Sequence, residues 1–170
     1  MRYTNIVTSI IKHQEKILLL KRSNKVKTMK NIWSGVSGII ENNEIPLSRA
    51  KIEIFEEIGI VEKKIELLKS NEQIKIDSPQ YKNHTWCIFP FLFKVETPEI
   101  KLNWENSEFV WIDPNDIVGY KTVPALKEIL FGLLKFIIFH IFSLLRKHEI
   151  YTCSATHRTW NVISRMLSSS

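Results

Sequence analysis

Between Gly38 and Ile60 the chain sets Glu44, Glu53, Glu56 and Glu57 between two glycines at spacings that few folds accommodate. On a helix, Glu53, Glu56 and Glu57 stand at i, i+3 and i+4, so their carboxylates are expected on one face. Ile54 and Ile58, four residues apart, mark a different face free to be buried. Like charges this close repel and weaken an isolated helix. A cation among them removes that objection, and hard divalent ions bind through carboxylate oxygens while sharing their other positions with phosphates. Gly59 before an apolar residue reads as a helix stop. A merely solvated acidic helix leaves the glycines at both ends unexplained.

The stretch resembles the Nudix box, G-x5-E-x7-R-E-U-x-E-E-x-G-U with U aliphatic. Gly38, Glu44, Glu53, Ile54, Glu56, Glu57, Gly59 and Ile60 match it, and Ile52 stands where the box has arginine. A pattern of this length is far more specific than a lone glycine motif. The resemblance implies an α+β Nudix fold, a mixed β-sheet sandwiched between helices (α/β/α).

Length and composition agree. The 170 residues suffice for one cored domain and an appendage, and 44% apolar with 25% charged residues is ordinary globular composition. Two cysteines, Cys87 and Cys153, without CxxC or His/Cys clusters, argue against a disulfide framework or structural zinc. A reducing, cytoplasmic setting is expected, with no signal-peptide pattern at the N-terminus. Residues 129–170 hold five Lys/Arg against one acid, hence +4 of the net +6. The basic excess belongs to the tail, and no specific nucleic-acid module is expected.

In chain order, Tyr3–Ile11 and Ile17–Leu20 read as strands of a hairpin. The basic loop from Lys21 to Lys30 is either a solvated connection or a cationic lip for a polyphosphate, with Lys21 and Arg22 nearest the strand end. Trp33 begins Trp33-Ser-Gly-Val-Ser-Gly38, where many Nudix enzymes have Trp-x-x-Pro-Gly-Gly; its indole is read as packing first and substrate stacking second. Pro46 suits a helix start, Ser48 is a candidate cap, and the helix is expected to end near Ile58. Strands follow at Lys64–Leu68, Glu72–Ile76 and His84–Val95, with Pro90 pointing to a bulge or edge. Tyr81 lies in a turn-forming loop and is a candidate for meeting substrate.

The second informative stretch runs from Ile100 to Pro114. Glu108, Trp111, Asp113 and Pro114 resemble the family's closing strand, and Glu105 and Glu108 stand as equal candidates for an extra metal ligand or general base. A final helix is expected from about Val123 past Leu130. The combination of these loops also resembles a Nudix subgroup found joined to initiation factor 2B-like/ribose-1,5-bisphosphate isomerase domains. The division expected is a Nudix domain at 1–135 and an apolar, basic extension at 136–170. For the apolar run 129–147 three readings stay open: a final helix packed on the core or in a homodimer, an interfacial membrane anchor, or a single span.

The resemblance implies hydrolysis of a pyrophosphate linkage in a nucleoside diphosphate derivative or nucleoside triphosphate. Glu53, Glu56 and Glu57 would hold Mg²⁺ or Mn²⁺ with the Gly38 carbonyl, and one glutamate, from the box or Glu105/Glu108, would accept the proton of water. Lys21, Arg22, Trp33 and Tyr81 are the substrate-side candidates. Ile52 cannot orient a box carboxylate as arginine does. Neither Arg49 nor Lys51 is expected to replace it, each being assigned to another part of the helix surface. The alternative is therefore a catalytically weak Nudix module that binds a nucleotide without turning it over.

Overall fold

The computed structural model describes residues 2–41, 43–78 and 81–135. Its eight strands form one mixed sheet. β1 (Arg2–His13) and β2 (Lys16–Arg22) make a hairpin whose arms diverge. β1 pairs antiparallel with β4 (Val36–Ile39) and parallel with β7 (His84–Val95), which takes β5 (Ile65–Ser70) and β6 (Ile74–Asp77) on its far side. β2 carries β3 (Trp33–Ser34) and β8 (Asn106–Ile112).

β1 has a partner along each edge of its middle, and Val7, Ile10 and Ile11 are correspondingly buried. Pro90 lies inside β7, although that strand is not at an edge. The reason is a break opposite it: β5 ends opposite Phe91 and β6 begins opposite Ile88. Pro90 faces the gap, where its carbonyl accepts from the Asn71 N–H, so its missing N–H costs no ladder bond there.

α1 (Pro46–Ile58) starts on Pro46 and ends on Gly59 in the left-handed conformation, φ 73°, with the Gly59 N–H donating to the Phe55 carbonyl. Ser48 does not cap it: Ile45 is the cap residue and no side chain bonds the first turn. The buried stripe is Ala50, Glu53, Ile54, Glu57 and Ile58, spaced i, i+3, i+4, i+7, i+8. Ile54 and Ile58 join Val7, Ile11, Leu18, Leu20, Val36, Phe91 and Phe93 in the core on that side of the sheet. On the other side, residues 126–135 form α2, and both Leu126 and Ile10 lie against Gly35. This helix begins later than expected because Pro124 and Ala125, the latter at φ 63°, turn the chain first. The layers are those of an α+β fold with helices on both faces of a mixed sheet.

No helix among the described residues is long and apolar enough to cross a membrane. The expected apolar extension and any membrane contact through 129–147 lie, from residue 136 onward, outside the described residues.

Candidate active site

Two glutamates of α1 fall inside its buried stripe rather than on a separate acidic face. Residues 53 and 54, like 57 and 58, are neighbours around the helix, and a stripe wider than 100° includes both. Glu53 is 6% exposed and Glu57 4%, while Glu56 stands at the solvent rim. The stripe meets β4, whose backbone supplies the contacts that an apolar surface lacks.

Ser37 N–H donates to Glu57 Oε1 at 2.8 Å, and Asn106 Nδ2 donates to Oε2 at 2.7 Å. Asn106 is itself buried at the first residue of β8. The turn before it follows the end of α1: Lys101 N–H donates to the Ile58 carbonyl and Asn103 N–H to the Glu57 carbonyl. Burial pushes the Glu57 carboxyl up to about 8, against the lowering effect of its two donors. Once ionised, each oxygen accepts one hydrogen bond and keeps a further lone pair.

Gly38 is held against Glu53. A Cβ at position 38 would fall within the Glu53 carboxyl group, so any side chain there displaces the carboxylate. Burial also raises the Glu53 pKa, opposed first by hydrogen bonding to Arg49.

Arg49 corrects the expectation drawn from Ile52. It sits four residues before Glu53 and seven before Glu56, hence on the same side of the helix. Its Nε donates to Glu53 Oε1 at 2.8 Å and its Nη2 donates to the same oxygen. Nη2 also reaches Glu56 Oε2 at 3.2 Å, and Nη1 lies 3.9 Å from Glu44 Oε1. Glu44 closes the preceding loop by accepting from the Glu41 N–H through Oε2. Lys51 is turned elsewhere, paired with Glu62. Ile52 is 41% exposed.

The two outlying acids separate. Glu105 is half-buried, and its charge acts on both Glu53 and Glu57. Glu108 is opposite Lys21 in the β2–β8 ladder and forms an ion pair with it at 2.8 Å. Lys21 also lies 5.9 Å from the Trp33 ring. Trp33 packs edge-on against Tyr120 at 5.3 Å. Arg22 holds its own loop, donating from Nε and Nη2 to the Thr28 carbonyl. Tyr81 is exposed in the β6–β7 loop beside His84, ring centroids 5.7 Å apart, and the structure does not bring it into contact with the α1 carboxylates.

Gly38, Glu53, Glu56 and Glu57 are therefore gathered, with Glu105 near enough for its charge to act on Glu53 and Glu57, while Lys21 ends β2 with Trp33 opposite it in β3. Among the described residues no three carboxylate, imidazole or thiolate side chains are already grouped in ligand geometry. Yet Glu44, Glu53 and Glu56 converge on one cationic group, the Arg49 guanidinium. An all-oxygen set drawn to one positive centre, beside a backbone kept open by Gly38, fits a hard divalent cation. Sequence reasoning missed Ser37, Arg49 and Asn106. Helical spacing alone contained the signal for Arg49.

A family model described as the NUDIX domain matches residues 2–132. The chain is 29% identical over 150 residues to dihydroneopterin triphosphate diphosphatase of Haemophilus influenzae, covering 78% of this chain and 92% of that protein. Among solved structures it resembles an Ap4A hydrolase from C. elegans, with TM-score 0.65 and 17% identity over 81% of this chain and 98% of the other. It also resembles the MutT protein of Methanosarcina mazei Go1, with TM-score 0.61 and 22% identity over 76% and 91%.

Proposed function

The chain belongs to the Nudix hydrolase family, and from that premise we propose that it is a Mg²⁺- or Mn²⁺-dependent enzyme cleaving the pyrophosphate linkage of a nucleoside diphosphate derivative or a nucleoside triphosphate. The observation that carries this reading is the convergence of Glu44, Glu53 and Glu56 on one cationic centre beside Gly38.

Glu53, Glu56 and the Gly38 carbonyl would hold the cation, and Glu57 would contribute the lone pairs left by Ser37 and Asn106. When bound, the ion supplies neutralisation of phosphoryl charge and a more acidic water. The chain's own residues do the rest. Glu105 is the preferred acceptor for the proton of the attacking water, because Glu108 is already engaged by Lys21. Lys21, at the end of β2, and Trp33, opposite it in β3, are the candidates for the phosphate chain and its organic substituent. Arg22 serves its loop, and Tyr81 is left outside the reacting region.

The nucleotide-binding alternative rests on Ile52, the one departure from the box. A panel of nucleoside triphosphates and dinucleoside polyphosphates separates the two. It includes dihydroneopterin triphosphate, after the Haemophilus influenzae relative, and Ap4A, after the C. elegans neighbour. Cation-dependent release of phosphate or pyrophosphate, lost in Glu56→Gln and Glu57→Gln, supports hydrolysis. Thermal protection by a nucleotide without turnover supports the binding module.

A further inference from the structure

We propose that Arg49 is the positioning residue of this site, taking over from one helical turn upstream the work that arginine at position 52 does elsewhere in the family. The inference rests on the hydrolase reading above and concerns how Glu53 is presented to the cation.

Three observations carry it. The guanidinium places two N–H groups, Nε and Nη2, on a single Glu53 oxygen, Oε1. Two N–H groups of a rigid planar fork locate that oxygen more closely than a single point charge does. Arg49 engages Glu53 Oε1 and Glu56 Oε2, while Glu53 Oε2 and Glu56 Oε1 have no protein donor among the described residues, so one oxygen is steadied while others stay open for a ligand. Gly38 limits Glu53 as well, since the carboxyl group, Oε1 foremost, fills the space a side chain at 38 would need. Glu53 is thus held by both a guanidinium and a close backbone, and Ile52 can supply neither.

Arg49 is also held in turn. Glu44 lies within 3.9 Å of it, and Glu44 is fixed by the Glu41 N–H. The loop between β4 and α1 is thereby connected to the carboxylate that the first turns of α1 present. Lysine at 49 keeps the charge but has neither the fork nor the second contact to Glu56.

The test compares wild type, Arg49→Lys, Arg49→Ala, Ile52→Arg and Arg49→Ala/Ile52→Arg. It measures kcat and KM on the best substrate of the panel and Mn²⁺ affinity by calorimetry, with thermal melts confirming the fold. Losing an outer hydrogen-bonding partner of a ligand typically costs about 10–100-fold in activity or metal affinity. Arg49→Lys is expected to lose that much in kcat, with KM within about threefold, and to weaken Mn²⁺ binding although the charge is unchanged. Ile52→Arg alone should change kcat by less than about threefold, because Glu53 is already held. The same change in the Arg49→Ala background should restore most of the lost kcat. Arg49→Lys with wild-type kcat and Mn²⁺ affinity overturns the proposal. So does Arg49→Ala with undiminished kcat and tighter Mn²⁺ binding, which marks the guanidinium as a mere competitor for the metal position. If wild type binds Mn²⁺ but turns over no substrate, the hydrolase reading fails by itself. The affinity of Arg49→Lys then decides: weaker binding supports the positioning role and equal binding ends it.

Discussion

Gly38 and the Glu53 carboxyl group claim adjoining volumes so closely that a methyl group on residue 38 would overlap the carboxylate. The contact joins a strand of the sheet to a helix, and it explains a glycine that the local backbone does not demand: Gly38 is not among the residues with positive φ. Its requirement is one of close approach rather than of conformation.

Gly38→Ala should therefore damage chemistry more than folding. Forcing extra volume into a packed site typically costs about 1–3 kcal/mol. A misplacement of about 1 Å at a reacting group costs about 100-fold in rate. Cation-dependent turnover reduced to that extent, in a protein that still melts cooperatively, is the expected result. Wild-type turnover would remove Gly38 from the site.

Glu57 gives a pH dependence whose sign follows from its burial. In metal-free protein under chelator, the folded state keeps its proton up to about 8, whereas the ordinary glutamate value is 4.5. Between those values the folded state binds more protons than the unfolded state, so stability contributed by this group is full below 4.5 and is lost as pH rises through about 8. Urea unfolding at several pH values should show this decline, and Glu57→Gln, neutral throughout, should flatten it. Equal slopes in the two proteins would contradict the assignment.

Glu105 and Glu108 should behave differently. Loss of a general base costs about 10²–10⁴-fold, and Glu105→Gln is expected in that range for kcat. Glu108→Gln removes an ion pair that is largely open to solvent, worth at most about 1 kcal/mol, and should leave kcat within about threefold. Comparable losses in both variants would return the two acids to equal standing.

The fold was largely readable because its signals are local. The spacing from Gly38 to Ile60 placed α1 and its terminal glycine, and the apolar run His84–Val95 matched β7 along its length. What escaped depended on pairing across the chain. Glu105 and Glu108 are three residues apart and chemically identical; only the β2–β8 register, setting Lys21 against Glu108, distinguishes them. Pro90 reads as a bulge or an edge residue, since the break between β5 and β6 cannot be seen from β7 alone. Arg49 is a different case. Its i+4 relation to Glu53 is present in the numbering and puts it on the Glu53 side of the helix, not on the separate surface that the departure at Ile52 suggests. Asn106 had no local mark at all, because its partner Glu57 is 49 residues away.

Calorimetric titration of the full chain with Mn²⁺, set beside the Glu53→Gln/Glu56→Gln double variant, reaches the main proposition without needing a known substrate. Saturable uptake by wild type that disappears in the folded double variant is expected if these carboxylates form a cation site. No uptake by wild type, or the same uptake by both proteins, would contradict it.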